Sequence, residues 1–207
     1  MPAQAEPSID ALESQAATVV SVSTAVPSRI FIPISADTVE QLNPVIEFEV
    51  SGQPMAIAPS GAILASSGPD RSVQLWDLER GVLLHDLGGN DGDVYSAAFS
   101  PDGSYLAVLS GGTIGLWRVS DGSPVSRLIG HSSAVTCAVF SPDGAHLASI
   151  AIDGVRLWKV PGGELVYASG GLNWVGMPWS SWCTLAFSPD GQLLAGPAGD
   201  GVTRSCP

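Results

Sequence analysis

Apolar and polar positions alternate along this chain in short runs, and the runs recur. Ala134-Val135-Thr136-Cys137-Ala138-Val139-Phe140, His146-Leu147-Ala148-Ser149-Ile150, Val155-Arg156-Leu157-Trp158-Lys159-Val160 and Glu164-Leu165-Val166-Tyr167-Ala168-Ser169 are each of strand length. Between them stand Ser141-Pro142-Asp143-Gly144, Asp153-Gly154 and Pro161-Gly162-Gly163. These separators are turns with a mechanism: proline presets φ, aspartate favours the turn and glycine accepts positive φ. Four short strands joined by such turns predict one small antiparallel sheet.

The unit occurs four times in variant forms. Its turn glycines fall at 61, 103, 144 and 191, and its tryptophans at 76, 117 and 158. A period of roughly 40–45 residues is that of propeller blades, in which adjacent four-stranded sheets bury each other's faces. The last copy starts at Phe187-Ser188-Pro189-Asp190-Gly191. Asp200-Gly201-Val202-Thr203-Arg204 matches the start of its third strand, and Ser205-Cys206-Pro207 stands where Leu-Trp should follow.

The stretch from Gly130-His131 through Phe140-Ser141-Pro142-Asp143-Gly144 to Leu157-Trp158 resembles the WD-repeat β-propeller family, and the likeness covers about residues 44–204. The resemblance implies an all-β propeller of about three and a half four-stranded blades. It also implies a hydrogen-bonded tetrad in each blade: a histidine before the first strand, a serine or threonine in the second, an aspartate in the turn after it and a tryptophan in the third. His131, Ser149, Asp153 and Trp158 match all four positions in the third copy. The first copy keeps Ser66, Asp70, Trp76 and the Trp76-Asp77 pair, without a matching histidine. The second keeps Trp117, with Asn90 at the histidine position and Gly111 at the aspartate position, which puts that blade's stability in question. Trp117-Arg118 and Trp158-Lys159 replace the Trp-Asp pair. Low lysine content and the near-identical Phe-Ser-Pro-Asp-Gly turns look like bacterial members of the family.

Residues 1–29, rich in Ala, Ser, Val and Pro, read as a disordered leader. Residues 30–50 read as a docking segment ending in the strand Val45–Val50, which by family likeness would act as a clasp for the last blade. Residues 51–207 hold the blades, at about 51–90, 91–131, 132–171 and a partial 172–207. Closed propellers take about four to eight blades. Three and a half leave open strand edges that invite pairing with another chain. The expectation is a fragment of a longer propeller, ahead of a ring completed by a second copy or a strained four-blade ring.

Charge narrows the function classes. The chain of 207 residues carries a formal net charge of −12, with one lysine and seven arginines. A nucleic-acid interface needs a basic footprint, and an anionic membrane should repel this surface. No apolar run is long enough to span a bilayer. The N-terminus lacks the basic and apolar regions of a signal peptide, although Ala3-Gln4-Ala5 resembles the end of a cleavage site. The odd count of cysteines (Cys137, Cys183, Cys206) argues against a disulfide framework, and Cys137 reads as a small buried hydrophobe.

Candidate chemistry is sparse. His131 has no second histidine or cysteine at metal-ligand spacing. His85 and His146 read as surface residues. Gly130-His131-Ser132-Ser133-Ala134 is no nucleophile elbow, because it ends in alanine and leads into a strand. Asn90-Asp91-Gly92-Asp93 lacks calcium-loop spacing, and the paired glycines have no P-loop continuation. No cofactor is indicated. One feature lies outside the repeat: the insertion 172–182 places Trp174, Met177, Trp179 and Trp182 in a connection that family likeness puts on a partner-binding face. Trp and Met favour interfaces; covering a blade edge is the plainer use for them. The reading is a non-catalytic scaffold for protein partners of unknown identity. The alternatives are a regulatory or sensor module of a longer multi-domain protein and, third, a propeller hydrolase or lyase.

Overall fold

The repeats become four antiparallel sheets in the computed structural model, which describes residues 52–170, 185–197 and 203–206. Strands β1 (Pro54–Ile57), β2 (Ile63–Ser67), β3 (Val73–Asp77) and β4 (Val82–Leu87) form the first sheet in chain order. The second comprises β5 (Val94–Phe99), β6 (Tyr105–Ser110), β7 (Thr113–Arg118) and β8 (Pro124–Ile129). The third comprises β9 (Val135–Phe140), β10 (His146–Ala151), β11 (Gly154–Lys159) and β12 (Leu165–Ala168). In the fourth copy β13 (Ala186–Phe187), β14 (Leu194–Pro197) and β15 (Thr203–Cys206) pair in the same order. The leader, the Val45–Val50 clasp strand and the insertion 172–182 lie outside the described residues. No described helix is long and apolar enough to cross a membrane.

The turn between the first two strands of each copy is set by its sequence. In the third sheet Ser141 Oγ donates to Asp143 Oδ1 at 2.5 Å, the Ala145 N–H donates to the same carboxylate at 3.0 Å, and Ser141 Oγ accepts from the His146 N–H at 2.9 Å. Ser100 with Asp102 and Ser188 with Asp190 repeat this pattern. The serine hydroxyls hold all three carboxyls below the usual aspartate range. Gly144 closes the turn at a φ of 70°, where an L side chain is strained.

Apolar side chains fill the spaces between successive sheets. Val73, Leu75 and Leu87 of the first pack with Leu106 and Val108 of the second. Ile114, Leu116 and Leu128 of the second pack with Leu147 and Trp158 of the third. Ile150 and Val155 of the third pack with Leu185 and Leu194 of the fourth copy. This answers the question over the second blade. It lacks most tetrad residues, yet Leu106, Leu109, Ile114 and Leu116 are almost wholly buried, so apolar contact on both faces holds it.

Three local expectations are corrected. Cys137 is buried, but it is disulfide-bonded; an odd cysteine count excludes complete pairing and leaves a single pair open. His85 and His146 are half-buried rather than surface residues. His85 sits beneath the loop at Gly122, where an added Cβ would come within 2.8 Å of its ring. Asp70 lies exposed in the first sheet's turn at a φ of 51°, followed by Arg71 at 63°.

Left-handed backbone costs a non-glycine residue about 1–2 kcal/mol. Arg71 pairs with Asp93 at 3.4 Å, but both side chains are more than half exposed, so that pair contributes little. Arg71→Gly should therefore stabilise the protein by about 0.5 kcal/mol once glycine's greater unfolded-state entropy is set against the relief. Urea unfolding measures this, and a loss beyond about 1 kcal/mol would mean that the arginine side chain holds the turn.

Candidate functional site

Among the described residues the densest polar constellation is built on the third sheet and the loop that enters it. Strands β10 and β11 pair so that Ser149 faces Arg156 and Leu147 faces Trp158. The two-residue turn Ile152-Asp153 between these strands carries the aspartate, and Gly130-His131 precedes β9. His131 Nδ1 lies 2.7 Å from Asp153 Oδ1, and His131 Nε2 lies 2.8 Å from Ser149 Oγ. Trp158 Nε1 donates to Ser149 Oγ at 2.8 Å. Asp153 Oδ2 accepts from the Ser132 N–H at 2.7 Å, from Ser132 Oγ at 3.1 Å and from Arg156 Nη1 at 2.9 Å.

These contacts fix the tautomer. The Asp153 carboxylate, held ionised, only accepts, so the proton between it and His131 sits on Nδ1. With the ring neutral, Nε2 accepts the Ser149 hydroxyl, which itself accepts from the Trp158 indole N–H. Arg156 Nη1 also lies 2.6 Å from His131 Nδ1. A protonated Nδ1 cannot accept, so the arginine's bond is the one to Asp153.

The pKa shifts agree with this assignment. Burial lowers the His131 pKa; Asp153 raises it and the Arg156 charge lowers it again, with a downward net result. Burial pushes the Asp153 carboxyl up, but the Ser132 N–H, the His131 ring and the Arg156 guanidinium outweigh it and hold the pKa at about 2. The signs give a pH profile. A histidine whose folded pKa is depressed stabilises fully above its unfolded value of 6.5, and that stability is lost as pH falls below it. An aspartate held at about 2 stabilises above 3.8 and loses this as pH falls from 3.8 towards 2. Urea midpoints across pH should thus fall first below 6.5 and again below 3.8. In His131→Gln the upper step should vanish; if it persists unchanged, another group carries it.

The other copies hold fewer of these bonds. In the first sheet Trp76 Nε1 donates to Ser66 Oγ at 3.0 Å. Asp77 accepts from the Glu79 and Arg80 N–H groups at 2.7 and 3.0 Å, fastening the next turn. No hydrogen bond joins Asp70 to a histidine among the described residues. In the second sheet Asn90 turns towards the first: its Nδ2 donates to the carbonyls of Arg71 at 2.7 Å and Leu87 at 3.0 Å. The Gly111 carbonyl accepts from the Val135 N–H at 2.8 Å. Trp117 Nε1 is buried without a hydrogen-bond partner.

Arg156 is the site residue that motif reading missed. Its position lies two residues before the tryptophan and is occupied by Gln74 and Gly115 in the other copies. Only the register that sets it opposite Ser149 exposes its role. Asp91 and Asp93 do not form an acidic pocket: Asp91 pairs with Arg127 and Asp93 with Arg71. Gly130-His131-Ser132 leads into a strand, as its sequence requires. Among the described residues no three of His, Cys, Asp and Glu are grouped to hold a metal ion. Trp174, Met177, Trp179 and Trp182 lie outside the described residues.

Comparison with known proteins matches the sheets just described. The family model "WD domain, G-beta repeat" fits residues 54–77, 81–118 and 122–159. The second and third matches each begin at the outer strand of one sheet and end at the third strand of the next, so the sequence repeat straddles two sheets. A mouse F-box-like/WD repeat-containing protein, TBL1X, is 54% identical over 46 residues, which are 22% of this chain and 9% of that protein. The WD repeat-containing protein SL1-17 of Schistosoma mansoni is 43% identical over 54 residues, 26% of this chain and 18% of that protein. The Arabidopsis thaliana WD40 repeat-containing protein HOS15 is 50% identical over 44 residues, 21% of this chain and 7% of that protein. The matched stretch is thus a small part of each of these longer proteins. All three are eukaryotic, so they lend no support to a bacterial-type lineage. By its repeats, its sheets and these matches, the stretch from residue 54 to residue 159 is made of WD40 repeats.

Proposed function

We propose that this chain is a non-catalytic WD40 scaffold segment that presents surface to protein partners. The observation that carries the reading is where its polar chemistry goes. The His131 ring nitrogens, the Ser149 hydroxyl and the Asp153 carboxylate are engaged by one another, by Ser132, by Trp158 and by Arg156 Nη1, while Arg156 Nε is buried without a partner. Catalysis needs an acid, base or nucleophile free to reach a substrate. Apolar side chains are what the outer strands leave in solvent: Val82, Leu83 and Leu84 on β4, and Leu165, Val166 and Tyr167 on β12. Exposed apolar patches favour protein contacts. Outer strands of this kind also suit self-association through their unpaired edges.

We assign the primary partner contact to Trp174, Met177, Trp179 and Trp182, on the enrichment of Trp and Met at binding surfaces. Affinity capture with the full chain as bait tests both parts. The native chain should capture a reproducible set of proteins, and Trp174→Ala with Trp179→Ala should lose that set at an unchanged melting temperature. Undiminished capture by a variant that melts lower would mean that the tryptophans serve packing. Failure of the native chain to enrich anything over an unrelated propeller would sink the scaffold reading itself.

A further inference from the structure

The fourth copy is joined to the third sheet by little apolar contact. Its β13 is two residues long where β9 has six. Its β14 and β15 pair Leu194 with Cys206, as β10 and β11 pair Leu147 with Trp158, so a cysteine stands at the register position of the core tryptophan. Leu185 and Leu194 are the buried apolar side chains it supplies among the described residues. Apolar stabilisation scales with the area removed from water, and two leucines remove little.

Cys137 lies inside this contact. It is 4% exposed, it packs with Ala148, Ile150, Val155, Leu185 and Leu194, and it is disulfide-bonded. The chain has two other cysteines, Cys183 and Cys206. Cys183 stands two residues before Leu185, and Cys206 is paired with Leu194. A bond from Cys137 to either one therefore runs from the third sheet to the fourth copy.

We propose that this disulfide is a redox latch that fastens the fourth copy to the third sheet. When it forms, two cysteine thiols lose two protons and two electrons, and glutathione disulfide takes them up as two molecules of the thiol. A dithiol reductant reverses the step: the S–S bond breaks, both cysteines regain their protons and the reductant leaves as a disulfide. Oxidised, the link restricts the unfolded copy and keeps its leucines at high effective concentration beside the third sheet. Reduced, the copy is held by its apolar contact alone, and Ile150 and Val155 lose their cover when it opens. Disulfides persist where thiols are not kept reduced, so the redox compartment sets the state of the latch. The proposal does not depend on the scaffold reading.

The full chain tests this without substitution. After oxidation with glutathione disulfide and unfolding in iodoacetamide it should carry one carbamidomethyl group, and after dithiothreitol it should carry one on each of its three cysteines. Backbone hydrogen exchange of the two folded forms, read by mass spectrometry, should differ at residues 185–197. Protection there should fall at least about tenfold on reduction, while the second sheet, from Val94 to Ile129, keeps its own. Cys137→Ser changes the core as well as the bond, so Cys183→Ser and Cys206→Ser carry the assignment: one should reproduce the reduced pattern and the other the oxidised one. Three adducts on the oxidised chain, a disulfide-linked dimer on a non-reducing gel, equal protection in both forms, a loss spread evenly over all the sheets, or the same pattern from both serine variants would overturn the proposal.

Discussion

Asp153→Ala should destabilise the protein by about 3 kcal/mol, the low end for breaking a largely buried ion pair. The loss has several parts. Arg156, its side chain 14% exposed, is left as an unpaired cation. The His131 Nδ1 proton and the Ser132 N–H lose the carboxylate oxygens that accept them. The tight turn from Ala151 to Gly154 loses the side chain that ties it to the loop before β9. Asp153→Asn separates these parts: its amide oxygen can still take the histidine proton, but it cannot neutralise the guanidinium, so its cost should be smaller. Adding Arg156→Met to Asp153→Ala removes the stranded cation and should recover at least about 1 kcal/mol, a coupling typical of residues in direct contact. Urea titrations give all of these as midpoint shifts at constant slope. A single-variant loss below about 0.5 kcal/mol would mean that solvent screens the pair and that the network contributes little.

The strands were legible because both of their signals are local. Period-two alternation and Ser-Pro-Asp-Gly turns need only neighbouring residues, and in the third sheet each strand begins within a residue of its expected start. His131, Ser149, Asp153 and Trp158 were legible through a motif, and the structure brings these four side chains within hydrogen-bonding distance. What stayed hidden depends on register and on neighbouring sheets. Arg156 looks like any strand residue until pairing places it opposite Ser149. Asn90 matches a histidine position by spacing, yet the carbonyl of Arg71 on the preceding sheet decides where its amide points. Asp70 has the right offset from its turn glycine, but its copy supplies no imidazole to receive it. The Cys137 bond shows that cysteine parity speaks to a complete framework and not to one pair.

Trp158 and Trp117 occupy the same strand position and should respond differently to the same substitutions. Trp158→Ala should cost about 3–5 kcal/mol, the range for removing a large aromatic ring from a core. The ring is 1% exposed and packs among Leu116, Leu128 and Leu147 between two sheets. Its edge meets the backbone at Gly130, where an added Cβ would lie 3.0 Å from Cη2, so the loop carrying His131 rests on it. Losing the ring should therefore also loosen the histidine, whose ring centroid is 6.3 Å away. Trp158→Phe keeps most of the contact but withdraws the N–H from Ser149, and should cost about 1–2 kcal/mol. Trp117→Phe removes a buried N–H that has no acceptor, so the apolar area lost is offset by relief of an unmet donor and the change should stay within about 0.5 kcal/mol. Equal costs for the two phenylalanine variants would mean that packing alone sets the value of this position. Unequal costs in the stated order would tie the difference between the two positions to the hydrogen bond between Trp158 and Ser149.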